Sequence, residues 1–130
     1  DSFEGLKEDW IGTSVIKGTF DLKQKIPKLE QNVIPIKGWI NQTLPKFLEE
    51  KSPKIAFMHI DVDTYETSKV VLDLTKKFLE KGAVIVFDEF YNFPGWDAGE
   101  YKAFNEIFNE NDYKFLSFAK DGQQVAVEIK

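Results

Sequence analysis

Four acidic residues directly follow two apolar segments of the sequence, with a pair after each segment. Asp61 and Asp63 follow the first segment, and Asp88 and Glu89 follow the second. Carboxylate oxygens, with no His or Cys among them, suit Mg²⁺ or Mn²⁺, which keep water or substrate oxygens in their open positions. Brought together without a cation, these acids would repel and raise one another's pKa. The sequence therefore indicates a candidate site for a divalent cation.

The two apolar segments have the pattern of neighbouring parallel strands. Residues 54–60 (KIAFMHI) and 83–87 (AVIVF) are two continuous, mainly apolar runs without alternation, which is typical of strands buried on both faces. Between them, residues 64–81 have helical spacing, and Gly82 suits the left-handed cap of that helix. Strand, helix and strand form a βαβ unit. Ligands of open α/β sheets bind beyond the carboxyl ends of the strands, and adjacent strands lie about 4.8 Å apart, so the acids can reach one ion.

The rest of the chain predicts a single α/β domain over residues 1–130. We expect a loop and short helix near residues 20–25, an edge strand at 32–37, a helix over 44–50 and a helix over 99–109. Two final strands, 114–118 and 124–129, flank the Asp-Gly pair at 121–122, which is a strong hairpin signal. The sheet should therefore end in an antiparallel pair.

Other residues at this edge have a structural and a functional interpretation. Asp63 is as well suited to be the N-cap of the following helix as to be a ligand. His59, within a predicted buried strand, is more typical of a core residue than of a base. Aromatic residues in loops either form a pocket wall or cover the core, and the position of the 91–98 loop after the second strand favours a wall; these residues are Trp10, Tyr91, Phe93 and Trp96.

Composition excludes several classes of function. Acidic residues outnumber basic ones by 22 to 17, for a net charge of −5, which disfavours a nucleic-acid partner. There is no Cys and only one His, which excludes disulfides, thiolate sites and a multi-His zinc site within this chain. No apolar run is long enough to span a bilayer, so we expect no membrane partner and a cytoplasmic location. The Gly-x-Gly-x-x-Gly and GxxxxGK[ST] motifs are absent.

Several segments in combination resemble the macrocin O-methyltransferase family of class I S-adenosylmethionine-dependent methyltransferases. The resemblance extends over most of the chain, and the segments that carry it are Asp1–Leu6, Gly38–Pro45, His59–Tyr65, Val84–Tyr91, Pro94–Trp96 and Glu100–Phe104. The resemblance implies a Rossmann-like, mostly parallel sheet whose last two strands form an antiparallel hairpin.

The same resemblance implies the site residues. Asp61, Asp88 and Glu89 would bind Mg²⁺, although the family more often has two Asp where this chain has Asp88 and Glu89. Asp61 would also contact the cofactor, and Asp61 as the catalytic residue, or a nearby base, would accept the proton of the substrate.

The remaining cofactor residues follow in the same way. Asp1 matches the acid that binds the cofactor ribose, and Gly38, Trp39 and Ile40 would border the adenine. Where the family usually has Pro after the Gly-Leu pair, this chain has Lys7.

Relatives carry a first strand and a Gly-rich cofactor loop before the segment that matches Asp1. We therefore expect this chain to be an amino-terminally truncated methyltransferase domain whose sheet lacks its first strands. Because an inner strand edge would then be left unpaired, we expect the 32–37 strand to move beside the 54–60 strand, or the partner in a homodimer to fill the gap.

Three functions stay open at this stage. The first is Mg²⁺-dependent transfer of a methyl group from S-adenosylmethionine to a small-molecule hydroxyl acceptor, possibly a sugar. The second is a metal-dependent glycosyltransferase, because Asp61-Val62-Asp63 also resembles its DxD motif. The third is a non-catalytic domain that binds cofactor weakly or not at all.

Overall fold

Four strands form one sheet in the computed structural model, which describes residues 1–130. In chain order they are β1 (Ile55–Ile60), β2 (Leu79–Phe87), β3 (Tyr113–Phe118) and β4 (Val125–Ile129). Their order across the sheet is β1-β2-β4-β3. The β1–β2 pair is parallel, whereas β2–β4 and β3–β4 are antiparallel. The α/β fold class and the final antiparallel hairpin are thereby confirmed.

Three helices accompany the sheet, namely α1 (Ile40–Lys51), α2 (Tyr65–Thr75) and α3 (Glu100–Ile107). The helix α2 packs between α1 and α3. It is shorter than the predicted 64–81 helix, because a 3₁₀ turn covers residues 76–78 and β2 already begins at Leu79. None of the helices is both long and apolar enough to cross a membrane.

Gly82 lies inside β2 and does not cap a helix, contrary to the prediction. The pairing of β1 with β2 passes from Ile55 opposite Leu79 directly to Phe57 opposite Val84, which leaves extra residues on β2. Gly82 lies among these residues with φ +84°, a conformation that Gly adopts without steric cost. This bulge precedes the regular part of the pairing, which brings Ile60 opposite Phe87 at the carboxyl ends of the two strands.

The core lies between one face of the sheet and the helices α2 and α3. Rings dominate it: Phe87 packs against Phe90 and Phe104 with centroid separations of 4.9 and 5.2 Å. All three are at most 2% exposed, and burying each Phe stabilises the fold by roughly 1.5–3 kcal/mol. The carboxyl ends of β1 and β2 therefore rest on a packed support.

Two elements predicted in the first 39 residues are wrong. Residues 20–25 form turns, because Phe20, Lys23 and Gln24 have φ values of 67°, 51° and 60°, which no right-handed helix contains. Residues 32–37 form no strand; Pro35 has no N–H to give to a ladder, and every side chain in the segment is exposed. The segment 1–39 is held instead by turns and by one isolated bridge, Glu4 to Asp21.

One of the two edge strands of the sheet is β1, and the other is β3. The expectation that residues 32–37 would pair with this strand is wrong, since β1 pairs only with β2. Phe57 is 64% exposed, so the prediction that β1 is buried on both faces is also wrong. Its continuous apolar pattern describes a strand that these 130 residues cover on one face only.

Candidate functional site

The carboxyl ends of β1 and β2 are joined where the acidic residues begin. The backbone N–H of Asp88 donates to the carbonyl oxygen of Ile60 at 2.9 Å, continuing the ladder beyond the ends of both strands. Asp61 comes next after Ile60, and Glu89 next after Asp88. The βαβ arrangement therefore brings the acids of two distant segments to the same edge, as predicted.

A tight turn places Asp63 at this edge as well. The N–H of Thr64 donates to the carbonyl of Val62 at 2.6 Å, and Asp63 between them has φ +63°. Asp tolerates this left-handed region better than most residues do. The N-cap of α2 is Thr64, so the interpretation of Asp63 as the cap is wrong, and its side chain is available to the site.

Three carboxyl groups form the centre of the site. Asp61, Asp63 and Glu89 each offer an oxygen, and these oxygens lie within 4.8 Å of one another. Glu89 is only 7% exposed, and its Oε2 atom has no hydrogen-bond partner. A divalent cation fits this donor set, because it would neutralise the repulsion and give the buried oxygen a partner. We call Asp61, Asp63 and Glu89 the acidic cluster.

Asp88 lies close enough to the acidic cluster for its charge to raise the pKa values of Asp63 and Glu89, and it also has two neighbours outside the cluster. Its Oδ1 atom accepts a hydrogen bond from Nε2 of Gln124 at 3.3 Å and lies 3.7 Å from Nε2 of His59. The structure thus brings together two of the three predicted ligands, Asp61 and Glu89, with Asp63 as the third acid. The side chain of His59 is 47% exposed, so its interpretation as a core residue is wrong.

Sequence reasoning missed Glu100, in the first turn of α3. Its side chain is fully buried, at 0% exposure, and its Oε2 atom accepts the backbone N–H of Glu89 at 3.2 Å. Its other oxygen, Oε1, has no partner. The signal was present in the sequence, because Glu100 shares the helical spacing of the buried residues Ala103 and Phe104.

Burial and mutual repulsion raise the pKa values of the acids at this site. Desolvation by burial raises the pKa of Glu89 to about 9 and the pKa of Glu100 to about 8. Burial, with the charges of Asp61 and Asp88, raises the pKa of Asp63 to about 6. Shifts of this size mark sites where negative charge is concentrated without compensation.

A cavity of about 430 Å³ opens beside the acidic cluster. Its wall combines the first residues of the chain, the start of α1, the turn after β1 and one side of α2. The lining residues are Asp1, Ser2, Gly5, Leu6, Lys7, Phe20, Trp39, Ile40, Asn41, Asp61, Val62, Asp63, Thr64, Glu66, Thr67 and Val70.

Four of the five predicted cofactor residues line this cavity, namely Asp1, Trp39, Ile40 and Asp61. Gly38 does not line it, but its N–H donates to the carbonyl of Asp1 at 2.9 Å and so joins the chain start to α1.

Two charged side chains that line the cavity, those of Asp1 and Lys7, have defined neighbours. The Asp1 carboxylate accepts the N–H of Phe3 at 2.6 Å, which fixes its direction. The ammonium group of Lys7 lies 4.9 Å from the ring centroid of Trp39, within range of a cation–π contact.

The loop after β2 packs against the amino-terminal segment. The rings of Trp10 and Phe93 meet edge to face at 6.1 Å, and both border a second, small cavity beside Asp63. Trp96 instead packs on Tyr101, with centroids 4.7 Å apart, and the Tyr91 hydroxyl donates to the Ala119 carbonyl. Of the four aromatic residues considered as a pocket wall, two therefore border a cavity.

A family model described as a methyltransferase domain matches residues 8–90, well over half of the chain. The chain therefore belongs to this methyltransferase family, which confirms the class of protein that the resemblance predicted. No curated protein matches the chain by sequence.

Among solved structures, the chain is similar to the apo form of CalS11, described as a TDP-rhamnose 3′-O-methyltransferase of calicheamicin biosynthesis. They share 26% identity over 72% of this chain and 40% of that one, with a TM-score of 0.62. Another CalS11 structure, described as calicheamicin methyltransferase, matches 98% of this chain and 58% of its own at 21% identity and a TM-score of 0.79. The O-methyltransferase NovP matches 100% of this chain and 58% of its own at 18% identity and a TM-score of 0.63. The chain thus spans between two and three fifths of these proteins, and the two likenesses below 25% identity show the fold alone.

Proposed function

We propose that this chain carries the metal-binding part, and part of the cofactor pocket, of an O-methyltransferase that moves a methyl group from S-adenosylmethionine to a hydroxyl acceptor. The observation that carries the proposal is the position of Asp61, which belongs both to the acidic cluster and to the wall of the 430 Å³ cavity. A group bound in the cavity and an ion held by the cluster would therefore be neighbours. Methyl transfer requires that the two reactants be held close and in line.

The cavity wall supplies contacts suited to a nucleoside. Asp1 offers a carboxylate of fixed direction, a good acceptor for ribose hydroxyls. Trp39 and Ile40 offer flat and aliphatic apolar surface for a base. These contacts support the assignment of Asp1, Trp39 and Ile40 to S-adenosylmethionine, with Gly38 holding the Asp1 backbone against α1.

The acidic cluster supports a bound Mg²⁺. When bound, Mg²⁺ would act as a Lewis acid towards a substrate hydroxyl. Asp61 and Glu89, which follow two neighbouring strands, would hold the ion, and Asp61 would also accept the proton that the hydroxyl loses. The third ligand is Asp88 on the sequence prediction and Asp63 on the geometry.

A sugar hydroxyl is the acceptor class that we propose. The support is the printed description of CalS11 as a TDP-rhamnose 3′-O-methyltransferase, at 26% identity over 72% of this chain. The glycosyltransferase alternative is not favoured, because the family match is to a methyltransferase domain and because Glu89, outside the DxD motif, completes the acidic cluster.

Titration calorimetry on the chain tests the proposal. S-adenosylmethionine should bind, and Asp61→Ala should weaken the binding of both S-adenosylmethionine and Mn²⁺ by at least about tenfold, since Asp61 belongs to both sites. Asp73→Ala, at an exposed acid on α2 outside the cavity, is the control and should bind as the native chain does. Asp63→Asn and Asp88→Asn identify the third ligand, because only the substitution of a residue that binds the ion should reduce the affinity for Mn²⁺ strongly. Unchanged binding in Asp61→Ala would contradict the proposal.

A further inference from the structure

Behind the acidic cluster lies a second buried carboxyl group that the proposed function does not use. Glu100 sits at the start of α3, directly after the N-cap residue Gly99, and its side chain points into the protein with 0% exposure. A fully buried carboxyl group is costly unless its oxygens are satisfied. Here only Oε2 has a partner, the backbone N–H of Glu89, and Oε1 has none.

The contact between Glu100 and Glu89 has a clear geometric consequence. Glu89 follows β2, and Glu100 provides the acceptor for its backbone N–H. The next N–H, that of Phe90, donates instead to the carbonyl of Gln123. By accepting the Glu89 N–H, Glu100 fixes the backbone from which the Glu89 carboxyl group enters the acidic cluster. That carboxyl group has its own buried oxygen without a partner, Oε2. One oxygen of the same carboxyl group belongs to the acidic cluster, within 4.8 Å of oxygens of Asp61 and Asp63.

We propose that Glu100 is a positioning residue for divalent-cation binding, which acts by holding Glu89 in the orientation that completes the acidic cluster. This rests on the proposed function in so far as the cluster binds a cation. Partners of metal ligands in the surrounding protein orient those ligands, and their loss commonly lowers metal affinity by about 10- to 100-fold.

Two variants of Glu100 separate a positioning role from a role of charge alone. Glu100→Gln keeps a carbonyl oxygen that can accept the Glu89 N–H, whereas Glu100→Met has similar length and no acceptor. Glu106→Gln is the matched control. Glu106 lies on the same helix but outside the acidic cluster, and its carboxylate pairs with the ammonium group of Lys69 at 2.7 Å. The readout is the affinity of the full chain for Mn²⁺ alone, followed by the loss of the free-ion electron paramagnetic resonance signal, with far-ultraviolet circular dichroism to verify folding.

We expect Glu100→Met to bind Mn²⁺ at least about tenfold more weakly than the native chain, and Glu100→Gln to remain within about threefold of it. The control should match the native chain. Equal affinity in Glu100→Met and the native chain would overturn the inference while leaving the metal site intact. An equal loss in Glu100→Gln and Glu100→Met would overturn it too, since the charge and not the hydrogen bond would then matter. No Mn²⁺ binding by the native chain would overturn the metal site itself and the inference with it.

Discussion

Replacing Glu89 with Gln should make the cation-free chain more stable at neutral pH. Burial raises the pKa of Glu89 from the ordinary value of 4.5 to about 9. At pH 7 the unfolded chain ionises this group and the folded chain keeps it protonated, so folding opposes the ionisation. Each pKa unit corresponds to about 1.4 kcal/mol. At pH 7 the raised pKa of Glu89 therefore lowers the free energy of unfolding by about 3 kcal/mol, as an upper estimate, and this decrease is the penalty.

The sign of this penalty defines its pH window. Below about pH 4.5 both states are protonated and the penalty is absent; it grows as the pH rises and becomes constant above about pH 9. Glu89→Gln should therefore unfold at the same temperature as the native chain near pH 4, and roughly 10 °C higher near pH 7.

Thermal unfolding followed by circular dichroism in the presence of EDTA, from pH 4 to pH 9, measures the effect. Glu49→Gln, at an exposed position of α1, is the control and should follow the native curve. Addition of Mg²⁺ should stabilise the native chain through binding to the folded state, and should stabilise Glu89→Gln much less. The reasoning is refuted if Glu89→Gln has the same pH dependence as the native chain, or is less stable at pH 7.

Two further predictions concern the segments around the site. Gly12→Ala should destabilise the fold by at least about 2 kcal/mol in urea unfolding, because Gly12 has φ +82° and a Cβ atom there would lie 1.7 Å from the Pro94 carbonyl oxygen. Gly18→Ala is the control, since Gly18 has φ +83° but open space around it, and it should cost only about 1 kcal/mol. Equal losses would count against the packing of the Gly12 loop on the Pro94 loop. We expect the chain to self-associate through β1, which has a neighbouring strand on one side only and exposes Phe57. Phe57→Lys should therefore reduce self-association in sedimentation velocity, whereas Ile34→Lys, at an exposed position outside the sheet, should not. A similar change in both variants would exclude β1 as the contact.

The central βαβ unit and the final hairpin could be predicted from sequence because their signals are local and redundant. The segment 83–87 is apolar throughout, and Asp121 and Gly122 stand between two short strand patterns. The same logic placed Asp61 and Glu89 at one edge, since a parallel pair brings the ends of its strands together whatever the distance along the chain. The site followed from topology.

Other features depend on partners that no local pattern reveals. Residues 32–37 include the β-branched Val33, Ile34 and Ile36, yet no neighbouring strand satisfies the backbone of the segment, so it remains irregular. A Gly followed by a strand suits a helix cap as well as a bulge, and the pairing with β1 decides for the bulge at Gly82. The sequence places Asp88 at a strand end but does not specify its rotamer, which contacts with Gln124 and His59 determine. Glu100 was detectable as an acid on the apolar face of α3.

Anomalous diffraction from crystals of the chain soaked in Mn²⁺ tests the central claim most directly. The account predicts one strong peak at the carboxyl ends of β1 and β2, within coordinating distance of carboxylate oxygens of both Asp61 and Glu89. The same map would show whether Asp63 or Asp88 completes the ligand set. A fully occupied peak elsewhere, or no peak at this edge at Mn²⁺ concentrations that saturate binding in solution, would contradict it.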